Sequence, residues 1–150
     1  MISSCVTVAR VAIAIAAAMA VMLGAAAAAR ADATQTISFS GHLRGEAAFF
    51  DDVDGETFRI CDRYKDNLPV VVRFSYIRKN GTRQTGAHWH TAGVDGRGTP
   101  DSGGYRQQGC SYGLHDFGEG RRVWFQACVK QPEEGTVTCG RTEVTGTGPK

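Results

Sequence analysis

The segment His88-Trp89-His90 carries the residue types best suited to metal chemistry. Successive side chains of a β-strand alternate between its two faces, so both imidazoles would project from one face and Trp89 from the other. This spacing can chelate zinc or copper, and His88 and His90 are therefore the predicted metal ligands. A third ligand could come from His42, His115 or a carboxylate. The alternative is a polar strand face with Trp89 packed into the core.

Residues 101–104 read Asp-Ser-Gly-Gly, which resembles the segment that presents the nucleophilic serine in trypsin-like proteases. Pro100 and Tyr105 stand where that family has glycine and proline, and no histidine lies in the family's usual sequence context. The segment is therefore interpreted as part of a glycine-rich loop. We expect no catalytic residue, no enzyme activity and no cofactor other than the zinc or copper considered above.

Four cysteines, Cys61, Cys110, Cys128 and Cys139, lie beyond the apolar N-terminal segment. In a short chain that is exported, as the features of the N-terminal segment described below predict, an even number of cysteines is typical of disulfide bonds. Zinc sites usually contain pairs of ligands separated by two to four residues, and these four are spread too widely for that pattern. The sequence therefore predicts two disulfides.

Strand alternation restricts how the cysteines can pair. Cys61 lies on the face opposite Phe58 and Ile60, and Cys128 lies opposite the apolar stripe that begins at Val123. A bridge through the core, as in immunoglobulin domains, would need both cysteines on the inner faces. The better fit joins Cys128 to Cys139 across a hairpin, and Cys61 then pairs with Cys110.

Aromatic residues could form a carbohydrate-binding platform if several of them shared an exposed face. Alternation places one tryptophan, Trp124, outside the apolar stripe of its strand. The alternative for that tryptophan is packing over the Cys128–Cys139 bridge. The candidates for the platform are Trp89, Trp124, Tyr76, Tyr105 and Tyr112.

The elements that position these residues are short alternating or β-branched runs separated by Gly, Asn, Asp and Pro, a pattern typical of an all-β protein. Asn80-Gly81 predicts a type I′ hairpin turn, and residues 93–104 form the longest loop. We expect a small, disulfide-stapled, immunoglobulin-like β-sandwich of seven to eight strands. The predicted strands span residues 36–43, 46–50, 56–62, 70–79, 83–91, 105–112, 121–130 and 135–144.

The first 33 residues have the features of a signal peptide. Arg10 precedes an apolar run over residues 11–23, and alanine dominates residues 25–33. The small-x-small cleavage pattern ends at Ala31 and again at Ala33, and we take Ala33 as the last leader residue. The sequence thus predicts one secreted, extracellular domain over residues 34–150, without a membrane anchor after cleavage.

The charge balance excludes some classes of partner. Seventeen Lys and Arg stand against 15 Asp and Glu, without a dense basic stretch, so we expect no nucleic-acid partner. The expected partner is an extracellular protein or a cell-wall component, and we expect the chain to be a monomer.

Several motifs combine cysteine spacing with strand patterning: Phe-Arg-Ile-Cys-Asp at residues 58–62, Gly-Cys at 109–110, Val-x-Phe-x-x-Cys at 123–128 and Cys-Gly at 139–140. Over residues 46–141 the chain resembles a group of small secreted two-disulfide proteins of filamentous actinobacteria. The resemblance implies a β-sandwich and export, but no activity, because that group has none assigned.

Three functions are compatible with these features. The sequence favours a secreted, non-catalytic extracellular binding or interaction module, because no acid–base pair, nucleophile or cofactor motif is evident. The second is a proteinaceous inhibitor of a secreted hydrolase, which would insert the loop at residues 93–104 into an enzyme cleft. The third is a metal-binding protein that uses His88 and His90.

Overall fold

The computed structural model describes residues 32–52, 55–131 and 135–148, and this part of the chain is all-β. Most of the predicted signal peptide lies outside the described residues. Among those described, no helix has the length and apolar character needed to cross a membrane. The strands are β1 (Ala33–Phe39), β2 (His42–Asp52), β3 (Gly55–Asp62), β4 (Val70–Ile77), β5 (Arg83–His90), β6 (Cys110–His115), β7 (Arg122–Lys130), β8 (Val137–Cys139) and β9 (Glu143–Gly146).

The strands form two antiparallel sheets, as the sequence predicts for a sandwich. A four-stranded sheet has the order β1-β2-β3-β6, and a five-stranded sheet has the order β5-β4-β7-β8, with β9 paired to the other end of β7. The chain passes between the sheets after β3, β5 and β6. In these strand orders, β6 is an edge strand of the four-stranded sheet and β5 an edge strand of the five-stranded sheet.

The core is built from the inner faces of both sheets. Phe58 of β3 packs against Phe74 and Phe125, with ring centroids 5.1 and 5.4 Å apart. The apolar stripes predicted on β3 and β7 are confirmed, because their residues lie in this cluster. Its fully buried members include Phe49, Phe58, Ile60, Val72, Val123, Phe125, Ala127 and Val129.

Both predicted disulfides are confirmed. Cys61 and Cys110 lie directly opposite each other on β3 and β6, and Cys128 and Cys139 do so on β7 and β8. Neither Cys61 nor Cys128 belongs to the core cluster between the sheets. Each bridge therefore fastens two neighbouring strands of one sheet.

The predicted strand over residues 36–43 is wrong, because the chain turns at Ser40 and Gly41. Both residues have positive φ, 51° and 77°, which is the geometry of a two-residue hairpin between Phe39 and His42. Glycine adopts positive φ without strain, but serine rarely does. Only one of the two turn residues, Gly41, is therefore of a type that indicates such a turn in the sequence.

Three other expectations differ in detail. The strand predicted at residues 135–144 is two strands, β8 and β9, so the nine strands among the described residues exceed the expected seven to eight. The strand predicted at 105–112 begins only at Cys110. The hairpin at Asn80-Gly81 is present, but only Gly81 has positive φ and its N–H donates to the carbonyl of Arg78 at 2.9 Å. This is a type I turn followed by a glycine, not type I′.

Candidate functional site

Strand β5 presents the histidines and the tryptophan on opposite faces. His90 is 1% exposed and His88 is half-buried, whereas Trp89 between them is 42% exposed. The two imidazoles share one face, as the alternation predicts. The alternative expectation that Trp89 packs into the core is wrong, because the histidines take the inner face.

His90 joins three parts of the fold. Its Nε2 lies 2.9 Å from the carbonyl oxygen of Gly93, and its Nδ1 lies 2.8 Å from the hydroxyl of Ser111 on β6. A carbonyl can only accept, so Nε2 donates and Nδ1 accepts the Ser111 O–H in the neutral ring. A Cβ at Gly98 would lie 2.9 Å from Nδ1, so only glycine fits beside this pair. His90 therefore fastens the start of the 93–104 loop to both edge strands.

His88 lies flat over the backbone of β6. A Cβ at Gly113 would come within 2.6 Å of its Nδ1, and on the other side Phe74 stacks at a centroid distance of 5.4 Å. Burial lowers the pKa of His88 below its usual 6.5, and His115 nearby lowers that pKa further. The ring is therefore neutral at neutral pH. Its buried Nε2 has no hydrogen-bond partner among the described residues.

The zinc or copper site at His88 and His90 stays a prediction. Both ring nitrogens of His90 are engaged by Gly93 and Ser111, so metal binding would have to displace one of these hydrogen bonds. The ring of His115 lies 6.5 Å from that of His88. In residues 32–52, 55–131 and 135–148, no group of three or more His, Cys, Asp or Glu side chains is arranged to hold a metal ion.

A cleft of about 390 Å³ opens between edge strands β5 and β6, and we call it the side cleft. Trp89 lies on one lip, and Leu114, which is 51% exposed, lies on the other. His88 lies between the sheets at its floor. The lining residues are Ala87, His88, Trp89, Thr99, Pro100, Tyr112, Gly113 and Leu114.

The loop that follows β5 forms the outer wall of the side cleft. Gly98 N–H donates to the carbonyl of Cys110 at 3.0 Å, and the carbonyl of Thr99 accepts from Tyr112 N–H at 2.9 Å. These bonds pair the loop with the outer edge of β6. The loop then turns at Asp101, whose side chain accepts from the N–H of Tyr105 at 2.7 Å. The wall is thus held by backbone bonds before any ligand binds.

Only part of the predicted aromatic platform comes together. Tyr105, which is 61% exposed, packs edge-on against Tyr112 beside the side cleft, with centroids 6.5 Å apart. Trp89 lines the same cleft. Tyr76 is buried in the core, and Trp124 lies on the outer face of the five-stranded sheet, where the guanidinium of Arg83 covers its ring at 5.1 Å.

Gly113, Ser111 and Leu114 are not among the residues that the sequence singles out. Each of them contacts or faces residues that are distant in the sequence. In addition, the predicted strand ends at residue 112, before Gly113 and Leu114. The alternating pattern of residues 110–115 carried a usable signal, since Ser111 and Gly113 share the inner face with His115. Small residues on an inner strand face indicate that something bulky packs against them.

Comparisons with protein-family models, with curated proteins and with solved structures found no match for this chain.

Proposed function

We propose that this chain is a secreted, non-catalytic binding module that holds a sugar ring of an extracellular or cell-wall polysaccharide in the side cleft. One observation carries the proposal. Trp89 and Leu114 remain exposed on the two lips of a preformed cleft, although the fold buries most of its other large apolar side chains. Exposed apolar groups that rim a cleft are typical of a binding site.

The chemistry of the lining suits a sugar. Aromatic rings such as Trp89 and Tyr112 offer flat apolar faces, with polar groups at their edges. His88 adds a neutral imidazole to the same lining. The volume of about 390 Å³ lies near the lower end of small-molecule sites. It suits a short stretch of sugar rather than a large ligand.

The lining supports binding without bond cleavage. Glycoside hydrolysis generally needs a pair of carboxylates that flank the scissile bond. None of the eight residues that line the side cleft carries a carboxylate. A non-catalytic role is therefore the simplest function for this cleft.

Two features support the proposal of export. The leader pattern of residues 1–33 is typical of a signal peptide. The two disulfides belong to the chemistry of oxidising compartments.

A panel of neutral oligosaccharides, titrated by calorimetry into the oxidised domain, tests the cleft. We expect at least one to bind, and Trp89→Ala to weaken its binding about tenfold or more, because stacking on the ring is lost. Trp124→Ala removes the other tryptophan, from a different face, and should leave this affinity unchanged. The proposal fails if no sugar binds, or if the two variants behave alike.

A hydrolase inhibitor is the second candidate, favoured by the hydrogen bonds that fix the 93–104 loop and the turn beyond it. Tyr105 stands 61% exposed on this rigid support, as an anchor side chain would. Inhibition of secreted proteases or glycosidases at nanomolar concentration, lost in Tyr105→Ala, would favour this candidate over sugar binding.

A further inference from the structure

A second groove, of about 600 Å³, crosses the outer face of the five-stranded sheet, and we call it the sheet groove. It shares only Ala87 with the lining of the side cleft. The side chains that shape it are Arg73, Ser75, Arg83, Thr85, Trp124 and Gln126.

The register of the strands explains the shape of the groove. Arg73 of β4 lies opposite Ala87 on β5 and Gln126 on β7. One step along the same face, Ser75 lies opposite Thr85 and Trp124. Ala87, Ser75 and Thr85 are short, so they form the floor of the groove. The longer side chains of Arg73, Trp124 and Gln126 form its walls.

The strands of the five-stranded sheet carry mainly positive charge. Its strands contain four basic residues, Arg73, Arg83, Arg122 and Lys130, and a single acidic one, Glu143. The carboxylate of Glu143 is occupied, because it accepts from the Gln35 amide of the other sheet at 2.8 Å.

The two arginines of the groove are available to a ligand. On the four-stranded sheet, the described arginines are matched by carboxylates, as in the pair Arg59–Glu46 at 2.9 Å. By contrast, neither Arg73 nor Arg83 forms an ion pair with any residue that the structure describes. The lining of the sheet groove contains no carboxylate at all. An anionic ligand would therefore meet uncompensated positive charge.

The groups in the sheet groove suit an anion that also carries hydroxyl groups. A guanidinium binds a carboxylate through two parallel hydrogen bonds, and Arg83 is already held over the ring of Trp124 at 5.1 Å. Gln126 donates its amide N–H to the carbonyl of Gly140, which leaves its side-chain oxygen to accept from a hydroxyl. Ser75 and Thr85 add hydroxyls to the floor. Carboxylate and hydroxyl groups occur together in uronic acids.

We propose that the sheet groove binds an acidic polysaccharide, with Arg73 and Arg83 holding the carboxylates of its uronic-acid units. The open face of a sheet accommodates an extended chain. The proposal is independent of sugar binding in the side cleft, because different side chains carry it.

The test uses the oxidised protein and polygalacturonate fragments at low ionic strength, with calorimetry as the readout. The same fragments after full methyl esterification keep the sugar backbone but lose the charge. We expect the acid form to bind the wild-type protein and the ester to bind at least tenfold more weakly. Equal binding of acid and ester, or no binding of the acid, would overturn the proposal without any variant being needed.

Matched double variants locate the site. Arg73→Gln with Arg83→Gln should weaken binding of the acid form about a hundredfold, or about tenfold for each guanidinium. Arg97→Gln with Arg106→Gln removes the same charge from the segment before β6 and should weaken it less than threefold. Equal losses in the two double variants would indicate general charge attraction and overturn the proposal. Trp89→Ala should leave this binding intact, which separates it from the side cleft.

Discussion

The imidazole of His88 on β5 lies directly against the backbone of Gly113 on β6. A Cβ at Gly113 would come within 2.6 Å of Nδ1 and nearer still to other ring atoms. β5 and β6 belong to different sheets and share no strand pairing. This contact therefore joins the two edges at the floor of the side cleft.

Gly113→Ala should displace His88 and destabilise the domain by about 1–3 kcal/mol, because overpacking in a filled site costs that much. Urea unfolding measures the loss. Gly103→Ala is the matched control, since a Cβ there would meet its nearest neighbour at an ordinary 3.6 Å. The control should change stability by less than about 0.5 kcal/mol. Similar effects of the two substitutions would contradict the tight contact.

Acidification should destabilise the domain as the pH falls below about 6.5. Burial lowers the pKa of His88 and of His115 in the folded state below 6.5, whereas in the unfolded chain each keeps that usual value. The unfolded state then binds protons first, so stability is lost as the pH falls through 6.5 toward the folded pKa values. Proton NMR titration of the two imidazoles should give midpoints below 6.5.

Replacing one of these histidines tests the same linkage through stability. His88→Phe keeps a flat ring over Gly113 but cannot be protonated. We expect the variant to lose less stability than the wild type between pH 7 and pH 5, when both are measured by urea unfolding. An unchanged pH dependence would show that burial of His88 does not contribute to it.

The two disulfides should differ in their effect on stability. Cys61–Cys110 closes a loop with a sequence separation of 49, and Cys128–Cys139 one of 11. On the chain-entropy account, replacing the first pair by alanine costs about 4 kcal/mol and replacing the second about 3 kcal/mol. Loss of the first pair should also weaken ligand binding in the side cleft, because Cys110 anchors β6. Calorimetric unfolding ranks the pairs, and the reverse order would refute this account.

The sequence alone leads us to take Ala33 as the last leader residue, but the contacts of Asp32 and Ala33 favour cleavage after Ala31, the other site that the small-x-small pattern allows. The N–H of Asp32 donates to the carbonyl of Phe49 at 2.9 Å, and Ala33 begins β1 opposite the same residue. Cleavage after Ala33 would remove both contacts. Intact-mass measurement of protein recovered from culture medium should therefore give Asp32 as the first residue. A first residue of Thr34 would contradict the expectation.

The sequence predicts the disulfides well because the pairing is restricted by strand alternation, which is a local property of the chain. Alternation along β3 and β7 places Cys61 and Cys128 outside the apolar stripes, and few pairings then remain. The hairpin turn at Ser40 was missed because its signal is weak, since serine seldom takes positive φ.

The face of β5 could not be predicted in the same way. Alternation shows that Trp89 and the histidines take opposite faces, but not which face is inner. The choice depends on partners supplied by another sheet, such as Ser111 for His90 and Gly113 for His88. Nothing in the local sequence of β5 indicates these partners, so the side cleft was not predictable from it.

The backbone bonds between the 93–104 loop and β6 also bear on how the protein behaves when it is concentrated. An uncovered edge strand offers a row of free N–H and carbonyl groups to which a second copy could add a strand. On β6, the carbonyl of Cys110 already accepts from Gly98 N–H, and Tyr112 N–H already donates to the carbonyl of Thr99. We therefore expect the segment that walls the cleft to hinder the addition of a second copy at this part of the four-stranded sheet.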